Sequence, residues 1–253
     1  MEEIISLKNI SYSYYGKIEA LKDVNLSIGQ GEMLAVIGIN GSGKSTLLHL
    51  VNALIHADKG EYRFKGTIVT DKSMKSAVFG PVFRKSMGYI FQNPDVQLFC
   101  PTVFDELMFG PLQLNMPYAN ACERAEETLD FLGISHLKER SVLMLSGGEK
   151  KKVAIASVLT TNPDILLFDE PLSSLDPATQ MYVIDLIEEL GKTGKTIIFT
   201  THQLDLVEYL QPRVAIMSAD HTLKKTGPSS EIVRDLQLLA EAGLYNERIK
   251  KIL

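Results

Sequence analysis

The run Gly38-Ile39-Asn40-Gly41-Ser42-Gly43-Lys44-Ser45-Thr46 fits G-x-x-x-x-G-K-[ST], the spacing of a loop that cradles phosphate. Gly38, Gly41 and Gly43 let the backbone wrap phosphate oxygens where a Cβ would intrude. Lys44 then reaches the β- and γ-phosphates of a nucleoside triphosphate, and the Ser45 hydroxyl supplies one oxygen to a magnesium ion that otherwise keeps water and phosphate ligands. A second chemical centre is Asp169-Glu170, which ends the apolar run Ile165-Leu166-Leu167-Phe168. Carboxylates at the carboxyl end of a buried strand face the ligand crevice of an open α/β sheet. Asp169 is placed to hold the magnesium, directly or through water, while Glu170 points elsewhere and can accept a proton from an attacking water.

The third centre is Leu145-Ser146-Gly147-Gly148-Glu149, followed by Lys150-Lys151-Lys152 and the helical run Val153 to Leu159. Ser146 reads as a helix N-cap, and the two glycines expose backbone N–H groups, making a second anion-binding helix end. The chain thus has two phosphate-type sites but one lysine-bearing loop. That asymmetry predicts two copies meeting head to tail, each Ser146 loop covering the nucleotide held by the other's Lys44. The lysine run itself reads as a solvated face.

These residues need elements to position them. Met33 to Ile37 is a buried-strand run before the phosphate loop, and Leu47, Leu48, Val51, Leu54 and Ile55 recur at helical spacing after it, so a helix N-terminus points at the anion. From Glu2 to about Gly31, apolar and polar residues alternate, which predicts antiparallel strands with turns at Tyr15-Gly16-Lys17 and Gly29-Gln30-Gly31. Gly60 to Thr70 resumes a strand pattern, Asp71 to Ser86 reads as a loop with a short helix, and Met87 to Phe91 is another strand. Pro101, Pro111 and Pro117 punctuate short helical segments, and Asn120 to Leu132 is a helix with Ala121, Ala125, Leu129 and Leu132 inward. A helix at Ala178 to Leu190, a strand at Thr196 to Thr200, a helix near Leu204 to Leu210 and a strand at Arg213 to Met217 follow. The tail from Ser229 to Leu253 reads as helical, with Ile232, Val233, Leu236, Leu239 and Ala240 on one face.

Alternating strands and helices imply an α/β fold with a mainly parallel core sheet. The expected organisation is one domain: an α/β nucleotide-binding core with an antiparallel β subdomain at 1–93 and 162–228, an inserted α-helical subdomain at 94–161, and the tail at 229–253. With 253 residues, 45% hydrophobic and 23% charged, the chain can bury a substantial core. A net charge of -5 implies no general attraction to nucleic acid or anionic lipid, so no nucleic-acid partner is expected. Cys100 and Cys122 form no C-x-x-C pair and, without a secretory leader, read as structural thiols of a reducing compartment. No apolar run is long enough for a membrane helix, so any membrane role comes through a partner.

The ordered set of motifs resembles the ATP-binding subunit of ABC transporters, and the resemblance covers nearly the whole chain: the phosphate loop, the Leu145-Ser146-Gly147-Gly148 signature shortly before Asp169-Glu170, Ser173-Ser174-Leu175-Asp176 after it, and His202 beyond the strand at Thr196. The resemblance implies a P-loop ABC ATPase fold with ATP and Mg²⁺ as ligands. It assigns Gln92 to the loop that contacts magnesium and nucleophilic water, His202 to a switch position near the γ-phosphate, and Asp176 to communication across a dimer. Tyr14 would stack on adenine, with Tyr15 as its rival, and Asn40, Ser42 and Thr46 fall within the nucleotide loop. His49, His56, His136 and His221 are left as ordinary surface or core residues.

A narrower resemblance rests on Gln92-Asn93-Pro94-Asp95-Val96-Gln97-Leu98-Phe99, Phe109-Gly110-Pro111, and the form of the signature from Ser146 to Ala156. These are similar to energy-coupling-factor ATPases, especially the CbiO type serving cobalt or nickel uptake. A vitamin importer of the same group is the alternative. That group implies a second ATPase subunit, as a homodimer or with a sister ATPase, a transmembrane coupling subunit, a substrate-capture membrane protein, and a place at the cytoplasmic face of the membrane. The signature departs from the commoner form by carrying Glu149. Asp95, Asp105 and Glu106 are expected to meet a basic coupling helix of the membrane partner. A soluble ABC ATPase of DNA repair would carry a long coiled coil before the signature, and one of translation a second cassette; neither is in this sequence.

Overall fold

The computed structural model describes residues 2–245. Strands β1 (Glu3–Tyr14) and β2 (Ile18–Gly29) form an antiparallel hairpin, turning at Tyr15 and Gly16, both in the left-handed region. Next come β3 (Met33–Ile37), the phosphate loop, and helix α1 (Lys44–Val51). Strands β4 (Lys59–Phe64) and β5 (Thr67–Ile68) then join the hairpin in an antiparallel sheet of order β2-β1-β4-β5. The stretch expected as a loop with a short helix holds two helices, α2 (Asp71–Met74) and α3 (Phe79–Ser86). It shows no long period because each helix is short, and Phe83 is buried edge-on against Phe64, with ring centroids 5.0 Å apart.

Beyond β6 (Met87–Ile90), α4 (Val103–Gln113) and α5 (Tyr118–Phe131) lead to α6 (Gly147–Leu159). Pro111 lies inside the last turns of α4 and does not end it. Helix α6 begins at Gly147, earlier than its apolar run, because Ser146 and Glu149 form a reciprocal capping box. The chain continues through β7 (Ile165–Phe168), α7 (Pro177–Lys192), β8 (Thr196–Thr201), α8 (Leu204–Leu210) and β9 (Arg213–Met217). A further strand, β10 (Leu223–Pro228), pairs antiparallel with β9 at the sheet edge. Its two lysines, Gly227 and Pro228 hide it from any strand pattern, which is the composition of a protected edge.

The second sheet has the order β10-β9-β3-β8-β7-β6, parallel except at β10. Its central strands are apolar throughout because both faces are covered. Ala35, Ile37, Leu166, Phe168, Ile197 and Phe199 enter one core with the helices; Leu34, Val36, Ile165, Leu167 and Ile198 enter the other, shared with α1 and the antiparallel sheet. Val103 and Leu107 of α4, Leu129 of α5 and Val153 of α6 belong to the first of these cores.

The tail is helical, in two pieces. Asp235 caps a new start, accepting from the Leu238 N–H at 3.0 Å, so α9 (Ser229–Ile232) and α10 (Leu236–Glu241) are separate. Ile232, Leu239 and Ala242 are buried, whereas Leu236 and Ala240 are exposed. The expectation beyond Tyr245 lies outside the described residues. Phe199 is fully buried beside Phe168 in the register of β7 and β8. Phe199→Ala should therefore lower stability by about 3–5 kcal/mol in urea unfolding; a loss below about 1 kcal/mol would contradict this packing.

Candidate active site

The sheet order sets the site. Strands β3, β8 and β7 lie side by side and parallel, so the phosphate loop, Thr200–His202 and Asp169–Glu170 all emerge at one carboxyl edge. A cavity of about 590 Å³ opens there, lined among others by Tyr14, Asn40, Gly41, Lys44, Gln92, Glu170 and His202.

Lys44 is buried in the first turn of α1, and its ammonium donates to the carbonyls of Gly38 at 2.9 Å and Ile39 at 3.1 Å. It also lies 3.5 Å from Glu170 Oε1. Two loop glycines are needed for a different reason than ligand clearance. A Cβ on Gly38 would strike the Met217 carbonyl, and one on Gly43 the Ala20 carbonyl. At Gly41 a Cβ would meet open space, but φ is +83°. Ser42 is fully buried, and its Oγ has no hydrogen-bond partner among the described residues. A buried hydroxyl left unpaired in a loop of open N–H groups fits an anion seated there.

Ser45 Oγ donates to Asp169 Oδ1 at 2.9 Å, and the same oxygen accepts from Thr200 Oγ1 at 2.7 Å. Tyr89 donates to Asp169 Oδ2 at 3.2 Å, and burial followed by the Asp169 charge raises its phenol well above the ordinary value. Gln92 sits at the rim of the same cavity, its amide donating to Ser173 Oγ at 3.2 Å. These are oxygen donors around one buried carboxylate, few in number, which fits magnesium completing its shell with water and phosphate. When bound, that ion would neutralise phosphate charge.

Glu170 has φ +41°, a left-handed conformation costing a non-glycine residue roughly 1–3 kcal/mol. Its N–H donates to Thr200 Oγ1 at 2.8 Å, and His202 Nδ1 lies 3.1 and 3.2 Å from its two carboxylate oxygens. The backbone twist separates it from Asp169 and turns it to the cavity, beside Lys44. A buried carboxylate held by an imidazole and a lysine, facing a phosphate loop, can take a proton from water.

Tyr14 lines the cavity, and its hydroxyl meets Thr46 Oγ1 at 3.2 Å, whereas Tyr15 is 92% exposed in the turn. Ser146, Gly147 and Gly148 are not among the residues lining this cavity; Gly147 borders a neighbouring cleft with Gln92, Lys150 and Ser173. A Cβ on Gly148 would press on Thr179, while one on Gly147 would meet nothing within 4 Å. Asp176 caps α7, accepting from the Ala178 and Thr179 N–H groups at 3.0 Å, and hydrogen bonds from Thr179 hold its carboxyl below the usual range.

Of the three acids expected to meet a membrane partner, Glu106 is withdrawn from the surface. Glu106 is buried, and its Oε2 accepts from the N–H groups of Phe99 and Cys100 at 3.0 and 2.8 Å. Asp95 is paired with Lys150 at 2.6 Å, and Asp105 accepts from Thr102 at 2.7 Å. Asp95 and Asp105 remain exposed, and beside them stand exposed apolar side chains, Val96, Phe99 and Phe109, the two aromatics edge to face at 4.8 Å.

The cavity also takes in a residue that the sequence reading left among the ordinary histidines. His221 sits in a turn closed by its own N–H to the Ser218 carbonyl, and it lines the cavity with its buried Nδ1 unpaired among the described residues. No spacing in the sequence marks it, because the turn at Ser218 and the strand at Lys22 bring it there, Lys22 N–H donating to its carbonyl at 2.9 Å.

Comparison with known proteins adds context. The ABC transporter family model matches residues 21–173. An ABC transporter ATP-binding protein of Methanosarcina acetivorans, with no substrate in its name, is 48% identical over 98% of this chain and 91% of its own length. The nickel import ATP-binding protein NikO of Rhodobacter capsulatus is 40% identical, covering 96% of each chain. Among solved structures, cbiO1 of Clostridium perfringens, described as part of the ABC transporter complex cbiONQ, has a TM-score of 0.81 and 32% identity over 100% of this chain and 99% of its own. The ATP-binding cassette MJ0796, dimeric in a post-hydrolysis state with ADP and Pi, has a TM-score of 0.78 and 27% identity over 89% and 99%.

Glu170→Gln should slow ATP hydrolysis by roughly 10² to 10⁴ while ATP binding persists; near-normal turnover in that variant would refute its role as base. His221→Ala should raise KM for ATP about 2- to 10-fold, the size of one lost hydrogen bond, with kcat little changed. An unchanged KM would place His221 outside nucleotide binding.

Proposed function

The chain belongs to the ABC transporter family and is an ATPase coupled to transport, and from that premise we propose that it drives an energy-coupling-factor type importer of nickel or cobalt ions. The observation that carries the mechanism is a division: Lys44, Ser45, Glu170 and His202 share one cavity, with Asp169 bonded to Ser45 behind it, while the Ser146 loop lies outside it. Two chains therefore close head to tail over two Mg-ATP molecules. Each nucleotide is held by Lys44, Ser45 and the loop amides of one chain and by Ser146, Gly147 and Gly148 of the other, with Tyr14 against the adenine.

Within each site the residues position and polarise. Lys44 and the loop N–H groups bind the β- and γ-phosphates; Ser45, Asp169 and Gln92 would hold the magnesium. Glu170 takes a proton from water as its oxygen attacks the γ-phosphorus, and the bond to the ADP oxygen breaks in line. His202 holds the Glu170 carboxylate and would meet the γ-phosphoryl group being transferred to water. Such a site needs mostly positioning and preorganised charge. The working division is the core at 1–93 and 162–228, the helical part at 94–161 and the tail from 229, with the helical part presenting the Ser146 loop.

No helix among the described residues is long and apolar enough to cross a membrane. Transport then calls for membrane subunits, which the name of the cbiO1 complex supports. We place their docking on Val96, Phe99 and Phe109, and the chain at the cytoplasmic face of the membrane. Nickel or cobalt is favoured over a vitamin by the NikO relative.

Phe99→Asp with Phe109→Asp should abolish metal uptake by cells expressing the whole transporter, since aromatic anchors at interfaces each contribute about 2 kcal/mol or more. ATP turnover by the purified chain should persist. Undiminished uptake would move the docking surface elsewhere, and uptake of a vitamin instead of metal would overturn the substrate.

A further inference from the structure

Helix α6 begins at the Ser146 loop, and its side grips the segment that carries Gln92. Lys151 is fully buried, and its ammonium donates to the carbonyl of Phe91 at 3.0 Å and to that of Gln92 at 3.4 Å. Three residues along, the Ala154 carbonyl accepts from Gln97 Nε2 at 2.7 Å, while Gln97 Oε1 accepts from the Phe91 N–H at 3.1 Å. Lys150 adds an outer clasp to Asp95 at 2.6 Å. The segment 91–97 is thus fastened to α6 near both its ends.

The inner clasp is unusual in its chemistry. Removing an ammonium from water is costly unless a charge partner stands beside it, and the groups at hydrogen-bond distance here are neutral carbonyls. Burial pushes Lys151 down to about 8, with Asp169 opposing that shift from farther off. A methionine would fill the same space without the desolvation. What the ammonium adds is a hold on two backbone carbonyls flanking the Cα of Gln92, and hence on where the Gln92 amide sits at the cavity rim.

We propose that Lys151 is a positioning residue for hydrolysis: by fixing the Phe91 and Gln92 carbonyls to α6, it makes the Gln92 amide and the Ser146 loop move as one body. The inference rests on the two-copy site proposed above. In that arrangement the Ser146 end of α6 meets the partner's nucleotide and Gln92 meets the chain's own. Lys151 then carries the closure of one site to the geometry of the other.

The test is steady-state ATP turnover by the full chain as Lys151→Met, Lys151→Arg, Gln97→Ala, Gln92→Ala and the Lys151→Met/Gln92→Ala double variant. Lys151→Met should lower kcat about tenfold with KM for ATP held within about twofold, and flatten any cooperativity in ATP. Lys151→Arg, which keeps charged donors, should recover most of the turnover. The double variant should be no slower than Gln92→Ala alone, because Lys151 acts through Gln92. Wild-type kcat in Lys151→Met, or losses that add in full in the double variant, would overturn the proposal. Should Lys151→Met fail to fold, Gln97→Ala decides: a fall in kcat at constant KM supports the clasp, and unchanged kcat refutes it. Normal turnover in Gln92→Ala would leave Lys151 nothing to position and refute it too. Failure of the two-copy reading shows separately, as a chain that turns over ATP while remaining monomeric.

Discussion

Lys44 and Glu170 face each other across 3.5 Å, both nearly excluded from solvent, and the architecture is organised to bring them together. They leave strands β3 and β7, which are separated only by β8. A parallel register across the three strands is what puts a cation, two carboxylates and an imidazole at one edge. Such a register is stable only with both sheet faces covered. The antiparallel sheet with α1 on one side and the helices on the other are therefore requirements of the chemistry as much as of stability.

The sequence told most about places where one residue type has one use. The phosphate loop, the acidic pair and the Ser146 cap were legible because Gly43, Lys44, Asp169 and Ser146 each answer a local need of backbone, phosphate or helix end. Even there, contact geometry changed a reason: Gly38 and Gly43 make room for the Met217 and Ala20 carbonyls of the chain itself. Illegible features were those set by tertiary neighbours. Glu106 reads as a surface acid but turns inward to cap two N–H groups. β10 owes its existence to the free edge of β9, and His221 reaches the cavity by a turn and a cross-strand bond that no periodicity records. The tail, expected as helical, is divided into two helices by the Asp235 cap.

The arrangement also explains why one chain looks incomplete. Gly147 faces open space, and the residues beside it border a cleft distinct from the nucleotide cavity. Helix α6 connects the two, with its first turn at that open face and its middle bound to the Gln92 segment through Lys151 and Ala154. In the proposed importer, closure by nucleotide bridging two copies would carry the segment 91–97, and with it the adjoining apolar pair of Phe99 and Phe109.

The measurement that bears most directly on this account is sedimentation velocity of Glu170→Gln protein with and without Mg-ATP, beside Glu170→Gln/Gly147→Trp. The indole should fit the monomer, since nothing lies within 4 Å of a Cβ at Gly147, yet block the partner's phosphates. Glu170→Gln protein should be a monomer that becomes a dimer only with Mg-ATP, and the double variant should stay monomeric. A Glu170→Gln chain that binds ATP yet remains a monomer, or a double variant that dimerises equally well, would contradict the shared site.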